Sequence, residues 1–118
     1  MNNQKRINHL NWRPIAVYPQ LAITIGINAA ILLQQLHYWM EKTNNTTNKG
    51  EKYVYKTYKQ WKQELPYIST KTIGRAVTKL TDMNLIRVER GIHKQYYFIN
   101  YDEVQKLVDE IELNISGK

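Results

Sequence analysis

Two short helical segments joined at Pro66, then two β-prone runs around a basic tip containing Gly91, then one more amphipathic helix: this order predicts an α+β, mostly helical fold. It is the pattern of a winged helix-turn-helix with a small β-hairpin wing and an extra C-terminal helix. The chain has 118 residues, enough for one core and too few for two full domains. Residues 1–11 read as a flexible N-terminal arm, 12–113 as the winged helix-turn-helix domain and 114–118 as a flexible tail.

The elements follow in order. Pro14 to Pro19 encloses Ile15-Ala-Val-Tyr18, too short for a helix and suited to an edge strand or extended arm. Leu21 to Ile25 forms a short helical turn that Gly26 stops, and Asn28 is placed to cap the next helix. That helix, Ala29 to about Lys42, is apolar on most sides, as the buried centre of a small domain should be. Thr43 to Gly50 is an Asn- and Thr-rich loop. Lys52-Tyr-Val-Tyr-Lys56 alternates as a short strand, and Thr57 with Gln60 has the spacing of a capping box for a helix through about Leu65. Tyr58, Trp61 and Leu65 share its inner face. Ser69 or Thr70 caps a helix that runs to about Met83, with Ile73, Ala76, Val77 and Leu80 inward. Asn84 suits the left-handed position after a helix. Leu85–Val88 and Gln95–Ile99 are strands, Asn100 with Glu103 resembles a capping pair, and Val104, Leu107, Val108 and Ile111 stripe the final helix.

Charge is unevenly placed. Residues 1–100 hold 15 of the 17 basic groups against five acids, a net +10, while residues 101–118 carry a net −3. The stretch from Lys52 to Lys94 has ten bases and three acids. A clustered positive field of this kind attracts phosphates. The absence of Cys excludes disulfide scaffolds, thiolate zinc sites and cysteine nucleophiles. The polar stretch Met1–Leu10 has no secretory h-region, and no apolar run is long enough to span a membrane, so a cytoplasmic protein with no membrane partner is expected.

On the helix after Ser69, Lys71, Arg75, Thr78 and Asp82 cluster opposite the apolar stripe, and Gly74 beside them permits close approach of another backbone. Thr70 stands at the helix N-terminus, which favours a phosphate. In a helix-turn-helix this second helix enters the major groove, where the planar fork of Arg75 matches the two acceptors of guanine. Lys71 and Lys79 are expected on phosphates. So are Arg87, Arg90, His93 and Lys94 of the hairpin, and Lys56, Lys59 and Lys62 extend the same surface. Nine Tyr and three Trp also fit a single-strand binder, in which exposed rings among Tyr53, Tyr55 and Tyr97 stack bases. Most of the aromatic residues, Trp39, Tyr58 and Trp61 among them, are expected in the core.

A family resemblance adds to this reading. The segments Ile31-Leu-Leu-Gln-Gln-Leu-His-Tyr-Trp39, Tyr53-Val-Tyr-Lys-Thr-Tyr-Lys-Gln-Trp61 and Ser69-Thr-Lys-Thr-Ile-Gly-Arg75 carry it, together with Leu80, Leu85-Ile86 and the Tyr96-to-Tyr101 strand exit. Over roughly residues 12–104 the chain resembles the winged-helix domain of replisome-organiser and DnaD-like replication-initiation proteins of Gram-positive phages, plasmids and mobile elements. The resemblance implies a DNA-binding module linked to DNA replication, with replication proteins as partners. Many such relatives carry a further C-terminal domain for oligomerisation or helicase loading. This sequence stops at Lys118, so a stand-alone module is expected.

Two other readings stand beside duplex binding: a single-stranded DNA-binding protein, and a winged helix that contacts protein. The final helix is either a homodimer seam or the lid of its own core. No Gly-rich phosphate loop, nucleophile elbow or metal-binding His pair is present, so neither catalysis nor a cofactor or metal is expected. His37 and Glu41, one turn apart, suit an ion pair or a hydrogen-bonded core His.

Overall fold

The computed structural model describes residues 17–92 and 94–116. The expected N-terminal arm, the Ile15 and Ala16 part of the expected edge segment, and His93 lie outside the described residues. Helix α1 (Pro19–Ile25) opens on Pro19, whose fixed φ and missing N–H suit a first turn. It ends at Gly26, whose φ of 93° lies in the left-handed region that side chains resist. Gly26 donates its N–H to the Ala22 carbonyl at 2.8 Å, and its own carbonyl accepts from the Ala30 N–H at 3.0 Å. One residue thus closes α1 and opens α2 (Ile27–Lys42). Asn28, expected to be the cap, is instead inside α2, because this glycine joint starts the helix two residues before Ala29.

Helix α2 is the centre of the fold. It buries Ala29, Ala30, Leu32, Leu33, Gln35, Leu36 and Met40 and packs against α1 and against α4 (Thr70–Asp82). The Asn-rich loop follows, pinched by a Thr46–Lys52 bridge, and strand β1 (Val54–Lys56) is shorter than the run that predicts it. Helix α3 (Tyr58–Glu64) starts on the expected capping box: Thr57 Oγ1 accepts from the Gln60 N–H at 3.0 Å, and Gln60 Oε1 accepts from the Thr57 N–H at 2.9 Å. Ser69 caps α4 through the Thr72 N–H.

At the other end of α4, Asn84 takes φ 61°. Its N–H bonds the Thr81 carbonyl and the Leu85 N–H bonds that of Leu80, both at 2.9 Å, while the Leu85 side chain is buried. Strands β2 (Ile86–Arg90) and β3 (Gln95–Ile99) and helix α5 (Tyr101–Ser116) complete the chain. The last helix passes the boundary expected at residue 113, so residues 114–116 are helical rather than tail. The Asn100 side chain donates its amide to the Asn84 carbonyl at 3.2 Å.

The sheet has the order β1-β3-β2 with both pairings antiparallel. Val54 and Val88 both face Tyr97, and Ile86 faces Ile99. Val54, Ile86, Tyr97 and Ile99 join the core formed by Leu36, Trp61, Leu65, Ile73 and Leu80, with Val88 packed against it. In α5 Ile111 is buried and Val104 and Leu107 lie against this core, so the stripe closes the domain that carries it.

Lys56 points inward from β1 and pairs with Glu64 at the end of α3. Its ammonium sits 4.4 Å from the centre of the Trp39 ring and 5.0 Å from that of Trp61. Glu64 Oε1 also accepts from Gln35 Nε2 at 2.9 Å and Trp39 Nε1 at 2.8 Å. Lys56 was expected on the outer positive surface. It is buried instead, because strand alternation places it beside Val54 on the core side. Glu64→Gln strands a buried ammonium and should lower the unfolding free energy by about 3 kcal/mol, whereas Glu64→Gln with Lys56→Met should recover most of it. Urea denaturation of both variants checks the pair; an unchanged Gln variant contradicts it.

Candidate nucleic-acid interface

The joint between α3 and α4 is built by local bonds. The Leu65 N–H returns to the Trp61 carbonyl at 2.8 Å and the Ile68 N–H to the Leu65 carbonyl at 3.1 Å. Lys62 Nζ then donates to the carbonyls of Pro66 at 2.7 Å and Ile68 at 2.9 Å. Lys62, expected on a phosphate, is thus engaged in holding the turn, because the chain reversal after Leu65 brings these two carbonyls within reach of its ammonium. Where the helices cross, Gly74 faces Tyr58: a Cβ there would lie 3.5 Å from Tyr58 Cε2. The close neighbour at Gly74 is therefore an aromatic ring and not the second backbone expected there. Tyr67, in the turn, is 63% exposed beside the start of α4 and was not singled out from the sequence; its place after Pro66 is the only signal that marks it.

This joint aims one side of α4 outward. Ile73, Ala76, Val77 and Leu80 are buried, and Thr70, Lys71, Arg75 and Thr78 are exposed, as the 3.6-residue period requires. Lys59 is exposed on α3. Among the described residues, Lys59, Lys71 and Arg75 have no carboxylate partner. Lys79, also exposed, turns toward the α1–α2 joint: a Cβ on Gly26 would sit 3.6 Å from its ammonium. It stands apart from the Lys71–Arg75–Thr78 cluster.

The hairpin divides its cations differently. Arg87 is on the outer face of the sheet, where its guanidinium donates to both Glu51 oxygens at 3.2 and 3.0 Å and to Glu89 at 3.1 Å. It also covers the Phe98 ring at 3.9 Å. This clamp holds the Glu51 carboxyl below the ordinary carboxylate range. Arg87 was expected on a phosphate and is already neutralised. Arg90 is exposed at the end of β2. Lys94 places its ammonium 3.9 Å from the centre of the Tyr55 ring.

Of the rings expected to stack bases, Tyr53 is half-buried and Tyr55 is 42% exposed on the outer face. Tyr97 is fully buried, edge-on to Trp61 at 5.7 Å, with its hydroxyl donating to Gln95 Oε1 at 2.7 Å. A base has no access to it. Its neighbours in sequence, Tyr96 and Phe98, are the ones on the outer face. Period-2 alternation separates Tyr97 from them, but only its pairing with buried Val54 decides which side is core.

Elsewhere, His37 Nδ1 bonds the Tyr101 hydroxyl at 2.8 Å and Nε2 lies 3.5 Å from Glu41, the ion-pair arrangement its spacing suggests. Among the described residues no group of three potential metal ligands is found, and no helix is long and apolar enough to cross a membrane. Comparison with family models, curated proteins and solved structures finds no match to this chain.

Gly74→Ala adds a methyl at ordinary van der Waals distance from Tyr58, at a helical position with no positive φ, so helix propensity decides the sign. The variant should be more stable by about 0.5–1 kcal/mol in urea denaturation. Burial pushes the Tyr97 hydroxyl up to about 12, from an ordinary value of 10.0. The folded state therefore favours the neutral ring, a contribution complete below pH ~10 and lost as pH rises from there through ~12. That loss amounts to about 2–3 kcal/mol, and Tyr97→Phe should show a correspondingly shallower fall in stability over this window.

Proposed function

We propose that this chain is a DNA-binding winged-helix protein that docks α4 in the major groove of a duplex and lays the β2–β3 hairpin along the flanking backbone. The observation that carries this reading is the sorting of cations. Lys56 is buried against Glu64, and Lys62 and Arg87 are tied to turn carbonyls and to carboxylates, while Lys71 and Arg75 stand exposed beside Thr78 on one side of one helix. Such a helix has its polar face turned outward by the α3 turn, its N-terminus at Thr70, and a basic hairpin carrying Arg90 and Lys94 in the same chain.

Arg75 is the base reader, since its two parallel donors match the O6 and N7 acceptors of guanine. Lys71 and Thr70 hold phosphates at the helix N-terminus, and Lys59 adds a further contact from α3. The resemblance to replisome-organiser and replication-initiation proteins of Gram-positive phages, plasmids and mobile elements supports a role in DNA replication, with replication proteins as partners. A cytoplasmic location goes with that role.

A labelled duplex titrated across a salt series tests the reading. Binding should weaken steeply with salt. Arg75→Ala should lose about 1–3 kcal/mol and relax preference at one base pair, whereas Lys71→Ala should weaken all sequences alike and reduce the salt slope by about one. Failure to bind any duplex at low salt would overturn duplex recognition and favour a protein-contact role for the same surface.

A further inference from the structure

The outer face of the sheet carries a group of aromatic rings that the core does not use. Tyr55 and Tyr96 are paired across β1 and β3, and Tyr53 and Phe98 sit on the same side. Tyr53 and Tyr96 have ring centres 5.5 Å apart, and those of Tyr55 and Tyr96 are 6.2 Å apart. Phe98 is buried under Arg87, whereas Tyr53, Tyr55 and Tyr96 stay outside the buried core, which is closed from below by Val54, Tyr97 and Ile99. Tyr53, Tyr55 and Tyr96 keep part of their surface in solvent, an unusual concentration of rings for a face that no helix of the described residues covers.

Beside them the Asn-rich loop raises a wall. Tyr53, Tyr96 and Phe98 floor a cleft of about 400 Å³, with Thr46 and Asn48 on one side and Glu89 on its rim. An aromatic floor with a few hydrogen-bonding groups around it suits a flat heterocycle that has donors and acceptors on its edge. The surrounding charge favours an anionic chain. Glu51 and Glu89 are tied to Arg87, exposed Lys49 lies in the loop, and Lys94 lies over Tyr55. These five groups sum to a net positive charge.

We propose that this outer sheet face binds an unpaired stretch of single-stranded DNA. One base enters the cleft over Tyr53 and Tyr96 and its neighbour stacks on Tyr55. Lys94 leaves the Tyr55 ring for the phosphate between them, so the incoming base replaces a cation on the ring while the cation gains a phosphate. The inference rests on the nucleic-acid reading of the chain, but it uses none of the α4 residues. The protein then has two surfaces, one for a duplex and one for a strand, which share only Lys94 of the hairpin.

Fluorescence anisotropy with the full chain separates them, using a labelled oligothymidylate and a blunt duplex as probes at low salt. Tyr55→Ala with Tyr96→Ala should weaken strand binding by roughly tenfold or more and leave duplex binding unchanged. Arg75→Ala should do the reverse. Strand binding unchanged in a double variant that keeps its circular dichroism and cooperative melt overturns the proposal, as does no strand binding by the unsubstituted protein. If duplex binding is absent while the strand still responds to the tyrosines, the α4 reading falls and this one stands. Should the double variant not fold, a strand carrying 5-iodouracil is photocrosslinked to the unsubstituted protein. Adducts on Tyr53, Tyr55 or Tyr96 support the proposal, and adducts confined to other residues, or none, overturn it.

Discussion

The pairing of Lys56 with Glu64 sets the geometry on which the other elements depend. A three-residue strand has little intrinsic preference for one register, and a slip by one residue exchanges its two faces. In β1 the exchange would put Tyr55 in the core and the ammonium of Lys56 outside. Glu64 opposes that slip because its carboxylate is met by Lys56 from β1 and by Gln35 and Trp39 from α2. Removing two charges from water costs several kcal/mol per ion, and only this many aligned donors offset it. The ion pair therefore contributes more to specificity than to net stability. It fixes β1 against α3 and α2, and through β3 it fixes which face of the whole sheet is core.

Once that face is set, the remaining charges divide by position. A count of ten bases between Lys52 and Lys94 says nothing about which of them water or a ligand can reach. Lys62 is bonded to two turn carbonyls and Arg87 to two carboxylates, and each does a structural job that an apolar residue could not do. Lys62 steadies the joint that orients α4. Arg87 joins the Asn-rich loop to β2 through Glu51. The surface left over is less charged than composition suggests and more localised, with Lys71 and Arg75 on one helix and Lys94 on the hairpin.

Much of the fold was legible because its signals are local. The Thr57–Gln60 box, the Ser69 cap, the left-handed Asn84 and the stop at Gly26 each depend on backbone bonds within a few residues. Whatever needed a partner distant in sequence was not legible. Alternation alone left Tyr97 and Tyr96 equivalent until Val54 was placed opposite Tyr97. Lys56 sits next to a helix in sequence and reads as its first exposed cation, yet one residue of strand phase buries it. The α+β class and the five helices of the described residues follow from pattern. The clamp on Arg87 does not, because Glu51 lies 36 residues away on a loop that gives no periodic signal.

The same division bears on the two proposed surfaces. Lys71 and Arg75 project from a helix whose opposite side is packed into the core, so their positions are fixed while their tips stay solvated. Lys94 projects from the turn end of the β2–β3 hairpin, and its ammonium rests on a ring instead of a carboxylate. A cation held by a ring at an exposed site gives up roughly 0.5–1 kcal/mol on leaving it, less than a charge-assisted bond to phosphate returns. By contrast, Arg87 would have to break three bonds to two carboxylates to make the same move. Of these two cations, Lys94 is therefore the one free to follow a strand, and Arg87 is the fixed edge against which the face is built.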